Sequence, residues 1–291
     1  MSLNLILERL RYWFDTSVVS EEEAIQTTDW FRIIPFVFMH IMCLGVFWVG
    51  WSWELATLAF ILYAIRMFAI TGFYHRYFSH RSFQTSRAMQ FIFAVIGASS
   101  VQRGPLWWAA HHRKHHRHSD TEHDVHSPHH HGFWWSHVGW ITSPANFPTD
   151  YSQVPDLAKY PELRFIDRFD TLVPLLLALT LYWIGGLPYL IWGFFISSVV
   201  LFHFTCSINS LAHIWGGQRY DTSDQSRNNL FLAILTFGEG WHNNHHKYPG
   251  SSRQGFFWWE IDLTYYGLKL LASLRLITGL RPVPERVLQD Y

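Results

Sequence analysis

The chain has only two cysteines, Cys43 and Cys206, and both lie inside apolar runs. This excludes a disulfide framework, a CxxC redox pair and a cysteine-ligated zinc or iron–sulfur site, so any metal must be held by histidine. Net charge is also missing, because 22 Lys and Arg balance 22 Asp and Glu over 291 residues. A polyanionic partner such as nucleic acid is therefore not expected. Charged residues supply 15% of the chain, where soluble domains carry about 25%. Residues 1 to 30 contain Glu8, Glu21, Glu22 and Glu23 and lack an apolar core ending in small residues. No cleavable signal is expected, and the N-terminus should persist. With no internal repeat or linker, residues 1–291 read as one domain.

What the chain does have is aromatic and apolar. Aromatics make up 18%, including 16 Trp, and the apolar residues are clustered in long runs. Residues 33–53 form an apolar run broken only by His40, and 55–74 form a second. Each has the roughly 20 residues that cross a hydrocarbon core as a helix. The run from Leu172 to Asn209 is too long for one span, and Gly185, Gly186 and Pro188 break it where a turn serves. The pattern predicts an all-α integral membrane protein with four crossings (33–53, 55–74, 172–185, 188–209) in two hairpins, under a helical cap. All Lys and Arg except Arg66 fall outside the crossings, on the side shared by the N-terminus, the 75–168 region and the tail. The positive-inside rule places that side, with both termini, in the cytoplasm. Met89 to Val101 is apolar but too short to span. Residues 1–16, with Leu3, Leu5, Ile6, Leu10, Trp13 and Phe14, suit either a helix lying in the headgroup plane or a simple capping helix.

Nearly all of the 19 histidines sit between the apolar runs. His75 and His80 are five apart, which turns an ideal helix by about 500° and leaves the rings roughly 140° apart. Both reach one site only if the helix end unwinds or if the site holds more than one metal. His112, His115, His116 and His242, His245, His246 each have the spacing i, i+3, i+4, which gathers three imidazoles on one helix face as a metal half-site. Asn209 and His213 stand one turn apart where the last crossing ends. About nine ligands exceed what one ion uses, so two metals are expected close together. Glu239 precedes His242 by three residues and reads as a carboxylate orienting a ligand. The tract His118, His123, His126, His129, His130 and His131 has no repeated ligand spacing and reads as a solvated, interfacial or adventitious metal-binding loop.

From about Ile33 to Gly255 the chain resembles a membrane-bound fatty acyl desaturase of the stearoyl-CoA (acyl-CoA delta-9) desaturase family, bacterial type. The resemblance rests on the boxes HxxxxH, HxxHH and HxxHH at His75, His112 and His242. Gln102, Trp108, Ser136-His137-Val138-Gly139-Trp140, Asn209-Ser210-Leu211-Ala212-His213 and Gly238-Glu239-Gly240-Trp241 support it. It implies two Fe ions, with O2 as co-substrate, that remove two hydrogens from a saturated acyl chain, usually between carbons 9 and 10. It also implies the ligands His75, His80, His112, His115, His116, His213, His242, His245 and His246, with Asn209 holding a metal-bound water. His111 is extra. The implied partners are the bilayer, a fatty acyl substrate (acyl-CoA favoured, acyl carrier protein or lipid as alternatives) and a separate electron donor such as a ferredoxin or a cytochrome with its reductase. Animal acyl-CoA enzymes have Arg-Asp before the second box where this chain has Ala110-His111, and Asp124-Val125-His126 replaces the commoner Asp-Pro-His. The alternatives are a di-iron membrane hydroxylase and a non-enzymatic metal carrier, the latter requiring intramembrane histidines beyond His40 and His203. An unactivated methylene offers no polar handle, so an aromatic-lined tunnel must choose the carbons. Ala59 and Tyr63 share a face of the second crossing, with Tyr63 about 18 Å before His75 on a straight helix.

Overall fold

The computed structural model describes residues 11, 13–17 and 27–290. The N-terminal helix expected over 1–16 falls mostly outside the described residues; within them, Trp13 stacks on Phe31 with ring centroids 4.8 Å apart. The described chain is mostly helical, with one short antiparallel ribbon pairing Gln84–Thr85 with Ile277–Thr278.

The first apolar run forms α1 (Ile33–Cys43) and then a single turn, Val46–Val49. It is shorter than the 33–53 expected, because Gly50 takes a left-handed φ of +70° and ends it. Ser52 opens α2 (Trp53–Phe68) by accepting from the Leu55 N–H at 3.2 Å. From Ala69 to Ser79 the helix continues without a break as a π-helix. α3 (Arg87–Ala98) is the short apolar helix. α4 (Pro105–His118) carries the second histidine group. Its start is capped from afar, by Asp167 Oδ1 accepting from the N–H groups of Leu106 and Trp107 at 2.9 and 2.8 Å.

Two helical stretches among the described residues are long and apolar enough to cross a membrane, Trp53–Ser79 with 27 residues and Leu172–His213 with 42. The second contains the expected break. α5 (Leu172–Tyr189) leaves helical geometry at Gly185 and at Gly186, whose φ is +64°. A π-helical stretch (Leu190–Ile196), α6 (Ser197–Ser210) and a 3-10 turn (Leu211–His213) follow. The turns of the two apolar pairs are tied together, since Tyr189 Oη donates to Glu54 Oε1 at 2.5 Å and Trp192 Nε1 to the Gly50 carbonyl at 2.9 Å.

The outer surface of these helices is apolar. Trp48 and Trp183, beside the turns, are 88% and 85% exposed, which suits lipid and would be a liability in water. The one cation in the apolar runs, Arg66, is buried and donates to Leu62 O, Ser99 O, Ser198 Oγ and Ser197 Oγ, all neutral acceptors. α7 (His242–Lys247) and α8 (Leu263–Ser273) complete the cap, and Asp262 caps α8 through the Tyr265 N–H at 2.9 Å.

Candidate metal centre

Four segments deliver the histidines. The π-helix settles the spacing conflict at His75 and His80. Its i→i+5 hydrogen bonds stack residues five apart, the His80 N–H donates to the His75 carbonyl at 3.3 Å, and the ring centroids lie 5.0 Å apart. The helix end underwinds, and both rings reach one site.

The nine imidazoles resolve into two adjacent groups. His75, His80, His112, His116 and His245 present one nitrogen each within 4.8 Å of one another, and His115, His213, His242 and His246 do the same. The two i, i+3, i+4 triplets are therefore not half-sites, which corrects the reading made from spacing alone. Each straddles the pair: α4 sends His112 and His116 to the five-histidine group and His115 to the other, while α7 sends His245 one way and His242 and His246 the other. The roughly 100° arc that seemed to gather three rings is wide enough to serve two neighbouring positions. Trp108 stacks on His112 at 5.0 Å and walls the first group.

Nitrogens facing inward are close. His75 and His245 place their Nε2 atoms 3.0 Å apart, His80 and His112 2.8 Å, His116 and His245 2.8 Å, and His213 and His242 3.0 Å. Two imidazole nitrogens bound at right angles about 2.1 Å from one ion lie roughly 3.0 Å apart, so the donor set fits metal ions. His246 Nε2 is buried without any hydrogen-bond partner, as a lone pair kept for a metal would be. His112, His116, His242 and His245 are held well below the ordinary imidazole range, first by burial and then by neighbouring imidazoles. They stay neutral at pH 7 and keep a lone pair to give.

The outward nitrogens meet carboxylates. His115 Nδ1 donates to Asp124 at 3.0 Å, His213 Nδ1 to Asp120 at 2.8 Å, and His246 Nδ1 to Asp224 at 2.6 Å. His75 Nδ1 pairs with Glu239, the role read for that residue from sequence. An anionic acceptor behind Nδ1 fixes the tautomer and turns the Nε2 lone pair inward. Burial alone would raise the three aspartates; the imidazole and other donors bring all three below the usual carboxylate range. Sequence reading missed Asp120 and Asp224, because they lie on loops where no periodicity marks a partner, and it noted Asp124 only within Asp124-Val125-His126, with no partner assigned. Arg76, buried beside His75, holds Glu239 Oε1 at 3.0 Å and Asp262 Oδ1 and Oδ2 at 2.9 and 3.0 Å.

The tract from His118 to His131 is partly buried against the site, and His126 with His115 and Asp124 presents a further group of ligand atoms within 4.8 Å of one another. His126 is buried with its ring 4.4 Å from His115. The rings of His129, His130 and His131 donate to the carbonyls of His213, Asp120 and Asp124 at 3.0, 2.9 and 3.1 Å. These residues brace the loop that supplies two of the carboxylates. His111 joins neither group; it lies against Trp107 at 4.4 Å, and burial first, then nearby His126, lowers it to about 3. Asn209 stands one turn before His213, with its backbone carbonyl accepting from Ser136 at 2.9 Å.

A pair of adjacent histidine groups at the end of long apolar helices forms a candidate metal centre. The sequence profile of the fatty acid desaturase family matches residues 51–269. The chain is 40% identical to the sn-2 palmitoyl-lipid 9-desaturase of Nostoc sp. over 85% of its own length and 88% of that protein. It is 38% identical to the sn-1 stearoyl-lipid 9-desaturase of Synechocystis sp., covering 97% and 89%. It is likewise 38% identical to the acyl-CoA C20 Delta5-desaturase of Anemone leveillei, covering 90% and 84%. The chain belongs to the fatty acid desaturase family.

Proposed function

We propose that the protein introduces a cis double bond at carbon 9 of a saturated fatty acyl chain, using O2 at a pair of iron ions. The carrying observation is the division of nine buried or half-buried imidazoles into adjacent groups of five and four. The ligands would be His75, His80, His112, His116 and His245 for one ion and His115, His213, His242 and His246 for the other, with Asn209 holding a water. When bound, the iron pair supplies the oxygen chemistry that an unactivated methylene requires. The chain's own residues do the rest. Glu239, Asp120, Asp124 and Asp224 orient ligands, and Trp108 and its aromatic neighbours keep water from the reacting carbons. Per turnover, two hydrogens leave the acyl chain and O2 takes up those, two electrons and two protons to become two waters. A separate donor supplies the electrons at the cytoplasmic face.

The acyl group is read as a thioester. A lipid-bound chain is the second reading, favoured by the names of the cyanobacterial relatives, which act on palmitoyl- and stearoyl-lipid. Four crossings in two hairpins, with both termini and the metal centre on the cytoplasmic side, agree with the break at Gly186 and with the exposed tryptophans at the turns. The metal-carrier alternative fits poorly. A path across the bilayer would need more histidines in the apolar runs than His40 and His203.

Expression in a host unable to make unsaturated fatty acids, followed by mass spectrometry of double-bond positions, tests the proposal. A 9-monoene is expected. A hydroxy acid would instead establish the hydroxylase, and an unchanged profile with an active electron donor present would overturn both. Supplying acyl-CoA or acyl-lipid to isolated membranes separates the two carriers.

A further inference from the structure

The two histidine groups differ in what stands behind them. In the four-histidine group, three ligands are backed by carboxylates: His115 by Asp124, His213 by Asp120 and His246 by Asp224. In the five-histidine group, Glu239 behind His75 is the one carboxylate paired with a ligand among the described residues. Glu239 is moreover shared with the Arg76 guanidinium, which takes up part of its charge. The three aspartates are held by the cap itself. Asp120 also accepts from Ser127 Oγ at 2.7 Å and the Gln225 N–H at 2.8 Å, and Asp124 accepts from the Asp120 N–H at 3.0 Å.

Resting on the dinuclear reading above, we propose that the two ions are held unequally: the four-histidine position retains its metal more tightly than the five-histidine position. A carboxylate behind an imidazole raises ligand basicity and fixes the ring, and its loss costs about 10–100-fold in metal affinity. The excess of two such partners is worth about 10²–10⁴ if their effects multiply. The fifth imidazole of the other group works against this ordering, but it adds a neutral donor and no charge. A dication feels three nearby anions at one position and one partly neutralised anion at the other.

The test is stepwise removal of metal from the detergent-solubilised full chain loaded anaerobically with Fe(II), with retained metal counted against chelator concentration. Two phases of one equivalent each are expected. Asp120→Asn combined with Asp224→Asn should loosen the tightly held equivalent by about 10²-fold or more. Glu239→Gln should loosen only the weakly held one. Removing one ligand from each group gives a second, independent measurement. His80→Ala should keep one tightly held ion, whereas His246→Ala should keep only the easily removed one. Loss of both equivalents in a single phase, or loosening of the tight equivalent by Glu239→Gln, would overturn the proposal. A chain that never takes up a second equivalent would instead defeat the dinuclear reading on which it rests.

Discussion

His75 and His80 are joined by an i→i+5 backbone hydrogen bond of 3.3 Å that ends the π-helical stretch, and their rings stand 5.0 Å apart on one metal position. An α-helical path between them would turn one ring away, so the wider helix is a condition of the site. The pair also fixes where the apolar run of α2 ends relative to the metals. Everything deeper in that crossing is thereby set at a defined distance below them.

The first prediction is metal content. Nine inward imidazoles in two groups predict two iron ions per chain in active protein, measured by elemental analysis against protein concentration. A ratio near one with full activity would be incompatible with the paired groups. Zinc after overexpression would not, since imidazole accepts it as readily.

A second prediction separates ligands from their braces. Ala at His112, His116, His242 or His246 opens a coordination position and should abolish turnover. Ala at His129, His130 and His131 together removes only donors to the carbonyls of His213, Asp120 and Asp124. That triple variant should retain activity, reduced by about tenfold, in keeping with the cost of an outer partner. Acyl-chain analysis of cells expressing each variant at matched protein level gives the comparison. A triple variant as inactive as the box variants would show that the tract itself binds the metals.

Acid should destabilise the metal-free protein in two stages. His112, His116, His242 and His245 are depressed in the folded state, chiefly by burial. Below the unfolded imidazole value of about 6.5 the unfolded chain binds more protons, so stability falls as pH drops through that point. His115 is moved up by Asp124 against the effect of burial and opposes the trend, but it is outnumbered, since burial also lowers His80, His111, His126 and His246. Asp120, Asp124 and Asp224 are depressed as well. Their contribution is complete above about pH 4 and is lost on further acidification. Thermal unfolding of the apo form from pH 8 to 2 should therefore show a flat stretch above about pH 7, a decline that starts near 6.5 and a further decline below about 4. A midpoint that rises on acidification through 6.5 would contradict the assignment.

The apolar runs, the break at Gly185 and Gly186, and the nine histidines that the fold gathers into two groups were legible because hydropathy and residue type are local properties of the chain. Their division was not. Spacing placed His112, His115 and His116 on one arc but could not say that α7 approaches so as to split the arc between two positions. The π-helix was legible only as a conflict, five residues where four would align. Asp120 and Asp224 were invisible for another reason. They meet His213 and His246 across 93 and 22 residues of sequence, and loops carry no period that marks such a pairing.

The last prediction concerns chain length. Tyr63 lies three helical turns before His75 on the segment that ends at the metals. Its hydroxyl donates to the Leu235 carbonyl, and its ring meets Phe204 and Phe237 edge-on at 6.2 and 6.0 Å. Ala59, one turn deeper on the same face, is 8% exposed. An acyl chain extended past the metals would meet this aromatic cluster as a floor. Tyr63→Ala should then lengthen the preferred chain, and Ala59→Phe should shorten it. Tyr63→Phe separates the causes. It keeps the ring but removes the bond to Leu235, so it should preserve chain-length preference while lowering the unfolding midpoint by an amount equivalent to about 1 kcal/mol. The readout is the distribution of monoene chain lengths from a mixed pool of saturated substrates. If Tyr63→Ala and Ala59→Phe are both folded and active with an unchanged distribution, the cluster serves only to pack α2 against α6, and the tunnel ends elsewhere.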